Sequence, residues 1–62
     1  MWTSDRYKVL LKENNLPQVE GEIIDCRYIT RHDDWWVRTI KGWFWLDRLT
    51  GQWKHAPRGP PY

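Results

Sequence analysis

The chain has 62 residues, a formal net charge of +2 and a tryptophan content of six, with 29% charged residues and one cysteine. A single domain this small has a thin core and no room for a deep pocket walled by several elements. Cys26 alone excludes an internal disulfide scaffold and reads as a reduced thiol of a cytosolic chain. The longest apolar run, Trp43 to Leu46, is far shorter than the about 20 residues of a membrane span, and Met1 to Asp5 lack the pattern of an export signal. The expected location is cytoplasmic, with no membrane contact.

In chain order, Tyr7, Val9 and Leu11 alternate with Lys8, Leu10 and Lys12, so the stretch within Thr3–Glu13 reads as a strand in preference to a helix. Asn14, Asn15 and Pro17 punctuate the chain and place Leu16 in an extended loop. Glu22 to Thr30 is rich in β-formers, and Arg31-His32-Asp33-Asp34 is a polar break.

The next two segments, Trp35 to Ile40 and Trp43 to Arg48, flank Lys41-Gly42, which reads as a two-residue hairpin turn. A reversal there pairs Ile40 with Trp43, Thr39 with Phe44, Arg38 with Trp45, Val37 with Leu46, Trp36 with Asp47 and Trp35 with Arg48. Side-chain alternation then puts Trp35, Val37, Thr39, Phe44, Leu46 and Arg48 on one face. Trp36, Arg38, Ile40, Trp43, Trp45 and Asp47 fall on the other. The first face suits a core centred on Val37, Phe44 and Leu46. The second carries three indoles that so small a domain cannot easily cover, with Arg38 placed to lie over the Trp45 ring.

Thr50-Gly51 reads as a further turn, followed by a short strand over Gln52, Trp53 and Lys54. Pro57, Pro60 and Pro61 preclude a regular continuation. The expected organisation is one domain over residues 1–56 and an extended, flexible Pro/Gly-containing tail over residues 57–62.

Asp34-Trp35-Trp36-Val37-Arg38-Thr39, followed by Gly42-Trp43-Phe44-Trp45-Leu46-Asp47-Arg48-Leu49, resembles the second half of an SH3-like barrel, in eukaryotic or bacterial form. Gly42 and Trp43 match the Gly-aromatic positions, Phe44 the buried strand position and Leu49 the closing hydrophobic position. The resemblance covers residues 34–49 and implies an all-β fold, a small partly open barrel of about five short strands. Trp45 stands where many ligand-binding members have Pro and Arg48 where they have Tyr, so proline-rich ligands are not carried over.

Candidate chemistry is sparse. Cys26, His32, Asp33, Asp34 and His55 have no structural-zinc spacing, and no metal or cofactor is expected. Ser4 with Asp5, Cys26 with a distant His, and Glu20 with Glu22 provide reactive residue types without a base and an orienting group in fixed positions, so no enzyme is expected. Residues 1–34 hold five basic against seven acidic side chains, and residues 35–62 hold five against one. The aromatic half is therefore the basic half, which can steer a partner. The expected role is a non-catalytic module, such as a small phage or bacterial regulator or inhibitor, binding a larger protein through Trp36, Arg38, Lys41, Trp43 and Trp45. Two alternatives stand beside it. One is nucleic-acid binding by the same residues with Arg48 and Lys54, through base stacking and phosphate contacts. The other is homodimerisation through the Trp-rich face.

Overall fold

A computed structural model describes residues 4–61. The start of the stretch read from Thr3 and the end of the tail at Tyr62 lie outside the described residues. One helix, α1 (Ser4–Glu13), precedes four strands, β1 (Ile23–Ile29), β2 (Asp34–Thr39), β3 (Gly42–Asp47) and β4 (Gln52–His55). The strands form an open antiparallel sheet in sequence order. The chain is thus a mostly-β domain of four strands and a helix. Among the described residues there are four strands in an open sheet, where the sequence suggested a partly open barrel of about five.

The N-terminal stretch is helical where alternation suggested a strand, because its end is closed by strong local bonds. Asn15 adopts φ 57°, and the Leu16 and Asn15 amides donate to the Leu11 and Lys12 carbonyls at 2.9 and 3.1 Å. This is the six-to-one and five-to-two pattern that terminates helices on a left-handed residue. Asp5 in the first turn and Lys12 in the last complement the helix dipole. Helical spacing sends Leu11 wholly inside while Val9 stays 53% exposed, separating two residues that a strand would have placed together.

The β2–β3 reversal uses Ile40 and Lys41, not Lys41 and Gly42. Thr39 pairs with Gly42, Arg38 with Trp43, Val37 with Phe44 and Trp36 with Trp45. Neither turn residue has positive φ; Gly42, at φ 116°, absorbs the strain at the start of β3. A side chain there would also meet His55 Nε2 at 3.1 Å. The offset moves every partner by two residues, so the side chains that remain in β2 and β3 keep their expected faces, while Ile40 and Arg48 fall in the turns.

On one face Val37, Thr39 and Leu46 are buried and Phe44 is half-buried. Thr39 is satisfied there, its Oγ1 accepting from the Lys41 amide at 3.1 Å. An irregularity between Ile23 and Asp25 gives β1 an extra residue opposite β2. This bulge turns Ile23 onto the same face as Cys26, so that Ile23 is buried while Ile24 is 51% exposed. Leu11, Val19, Ile23 and Val37 form the centre, with Tyr7, Leu16, Cys26, Phe44 and Trp53 packed around it. The α1–β1 connection crosses this face and is fixed at its far side, where Trp53 Nε1 donates to the Pro17 carbonyl at 2.8 Å.

The segment after β4 is not a free extension over the residues described. The Ala56 amide donates to the Trp43 carbonyl at 2.8 Å, carrying the β3–β4 ladder one step further. The Gly59 amide then donates to the Ala56 carbonyl at 2.9 Å, so Ala-Pro-Arg-Gly closes as a β-turn with Pro and Gly at favoured positions. Leu49, matched to the closing hydrophobic position of an SH3-like pattern, is 98% exposed in the β3–β4 turn.

Candidate interaction surface

The sheet face opposite α1 is organised by register into two transverse rows. Arg27, Trp36, Trp45 and Lys54 are successive cross-strand partners from β1 to β4, placing two indoles between two cations. Beside this row lie Asp25, Arg38 and Trp43, continued by Ala56. Period-two alternation adds Asp34 and Asp47 to the face.

The three indoles have different surroundings. Trp36 is only 6% exposed, and Trp43 meets it edge-on with ring centroids 6.5 Å apart. Two guanidiniums flank Trp43: Arg27 Cζ is 5.5 Å and Arg38 Cζ 5.9 Å from its ring centroid. Arg38 therefore lies over Trp43, not over Trp45 as the expected register implied, because the register places Arg38 opposite Trp43. Arg27 Nε is in turn paired with Asp25 Oδ2 at 3.1 Å. Such exposed cation–ring contacts contribute about 0.5–1 kcal/mol each. Gly59, itself buried, closes on the Trp43 indole. Trp45 is half-buried and makes no ring contact among the described residues.

The structure thus gathers Trp36, Arg38, Trp43 and Trp45 on one face, with Lys54 at its edge. Trp36, buried beside Trp43, presents little surface. Lys41 lies elsewhere, in the β2–β3 turn, where it lines a cleft of about 570 Å³ with Pro17, Val19, Phe44, Trp53 and His55. Arg48 is also remote: it bridges Asp33 Oδ1 at 3.0 Å, and the same carboxylate oxygen accepts from the Tyr28 hydroxyl at 2.5 Å. That bond, followed by burial and the Asp33 charge, raises the Tyr28 phenol above its ordinary pKa.

Sequence reasoning missed Arg27 and Gly59. Arg27 reaches the Trp face only through the β1 register. Gly59 was recognisable in principle from the Pro-x-Gly spacing of a turn, although its target was not.

The remaining reactive groups are held apart. His55 Nε2 lies 3.1 Å from the Lys41 carbonyl, a contact in which the ring must donate, and its ring packs on Phe44 at 5.1 Å. Burial, then Asp25, pushes the Cys26 thiol up to about 11, opposite to the shift of an activated nucleophile. Among the described residues no group of three or more His, Cys, Asp or Glu is arranged to hold a metal ion. No helix among them is long and apolar enough to cross a membrane. Comparison with protein-family models, curated proteins and solved structures gives no match.

Proposed function

We propose that this chain is a non-catalytic recognition module that binds a larger protein through the sheet face opposite α1, as a small regulator or accessory subunit. The row Arg27–Trp36–Trp45–Lys54 carries this reading. It offers a half-buried indole on a well-supported base, flanked by exposed long cations. Trp and Arg are the residues most enriched where protein interfaces concentrate their binding energy.

Charge favours a protein over a nucleic acid. The face holds Arg27, Arg38 and Lys54 together with Asp25, Asp34 and Asp47, so its charges of opposite sign balance. A phosphate backbone needs a positive track, whereas mixed charges complement a folded protein surface.

The test is affinity capture from native lysate with the full chain as bait, compared with Trp45→Ala and Arg38→Ala. A discrete protein captured by the parent chain and lost from both folded variants supports the reading. Equal capture by all three baits refutes it. A parallel titration with single- and double-stranded nucleic acid at two salt concentrations addresses the alternative directly: tight, salt-sensitive binding lost in Arg38→Ala would replace a protein partner with a nucleic acid.

A further inference from the structure

The chain's own C-terminal segment occupies part of the proposed surface, and the manner of its seating indicates what that part of the surface accepts. Ala56 remains in the ladder through its bond to Trp43. Pro57 starts a turn, and the turn delivers Gly59 to the indole in a left-handed conformation, φ 74°. A Cβ at Gly59 would stand 2.7 Å from Trp43 Cδ1 and 2.9 Å from Nε1. Both the backbone angle and the close approach therefore require glycine. Two guanidiniums, of Arg27 and Arg38, lie over the same ring.

Beyond Ala56 the described segment makes no hydrogen bond to the sheet. Its one bond, from Gly59 to Ala56, lies within the turn, and Pro57, Pro60 and Pro61 have no amide hydrogen to donate. Among the described residues, packing alone holds the turn against Trp43. A self-contained turn held in this way can leave and be replaced by another of the same shape without breaking the sheet.

We propose that the Trp43 site is an exchangeable receptor for a Pro-x-Gly turn, filled here by the chain's own Ala56–Gly59 turn, so that a partner segment of the same kind binds by displacing the tail. The proposal rests on the reading of this face as a recognition surface and adds a built-in competitor to it. The partner's recognition element is an exposed β-turn with glycine at its last position. A closed tail lowers the apparent affinity for that element in proportion to the fraction of molecules in which the site is open.

The experiment uses the full chain carrying Gly59→Ala, and a second variant, Pro57→Gly, which loosens the turn without introducing a clash. The probe is a synthetic peptide of residues 55–61, His-Ala-Pro-Arg-Gly-Pro-Pro. In both variants the Trp43 indole N–H is expected to exchange with solvent several-fold faster while the sheet resonances persist. The peptide should then bind the opened chains saturably, shifting Trp43, Arg27 and Arg38, at least about fivefold more tightly than it binds the parent. The same peptide carrying Gly59→Ala should not bind.

A Trp43 indole that stays protected in both variants would overturn the proposal. So would an opened chain that ignores the peptide, or one that binds the Gly and Ala peptides equally. Any of these results, with capture still dependent on Trp45 and Arg38, removes the exchangeable turn and leaves the recognition surface standing. Peptide binding without any Trp45-dependent capture does the reverse.

Discussion

Replacing Leu11 with Ala, with Val9→Ala as its control, separates the two arrangements open to the N-terminal stretch. In a strand both side chains would share a face. In α1 Leu11 is fully buried among Val19, Ile23 and Val37, while Val9 is 53% exposed. Leu11→Ala removes about three buried carbons, about 2.4 kcal/mol at 0.8 kcal/mol per carbon. The cavity left beneath the helix raises the expected loss to about 2.5–4 kcal/mol. A domain of this length has a total stability on the order of 3–9 kcal/mol, so the variant should lie near its unfolding threshold. Val9→Ala loses little packing and gains helix propensity, and should change stability by less than about 0.7 kcal/mol. Urea unfolding followed by tryptophan fluorescence measures both. Equal losses in the two variants would refute a helix lying across the sheet with Leu11 as its anchor.

Three further outcomes follow from local geometry. Gly42→Ala should cost about 1–3 kcal/mol by urea unfolding, since it combines positive φ with a 3.1 Å approach to His55; an unchanged midpoint would contradict the placement of the turn. Asn15→Gly should be neutral or stabilising and Asn15→Val destabilising by about 1–2 kcal/mol, because position 15 closes α1 at φ 57°. With its pKa pushed to about 11 from an ordinary value of 9, Cys26 should carry about a hundredfold less thiolate at pH 8 than a free thiol. Alkylation by iodoacetamide should be correspondingly slow in the native chain and recover in urea. The raised pKa also means that Cys26 favours folding fully below pH 9 and that this contribution is lost as pH rises through about 11.

The β2–β3 hairpin was largely legible from its residues. Alternation sorted Val37, Phe44 and Leu46 from Trp36, Trp43 and Trp45, and that sorting survived a mistaken turn because the register moved by an even number of residues. The helix was not legible from alternation, since Tyr7, Val9 and Leu11 fit either period and the closing residue is Asn15 in place of the more familiar glycine. Ile23 reaches the core through a bulge that no simple period encodes. The candidate site was legible in part. Trp43, Trp45 and Arg38 stand together as expected, but solvent exposure depends on what lies above each ring, and Trp36 is covered. Lys41 left the site with the one-residue displacement of the turn, and Arg27 entered it from the neighbouring strand β1 through its pairing with Trp36. The proline-containing tail suggested freedom, whereas Pro57 and Gly59 set a turn whose target is a residue 16 positions earlier than Gly59.

The proposed docking face is tested most directly by site-specific photocrosslinking in native lysate. One chain carries the photoreactive residue in place of Lys54, at the end of the Arg27–Trp36–Trp45 row; the other carries it in place of Val9, on α1. A discrete protein adduct from position 54, absent from position 9 and competed away by unlabelled parent chain, is the expected result. Equal adducts from both positions, or an adduct from position 54 that disappears on nuclease treatment, would contradict a protein partner docked on that face.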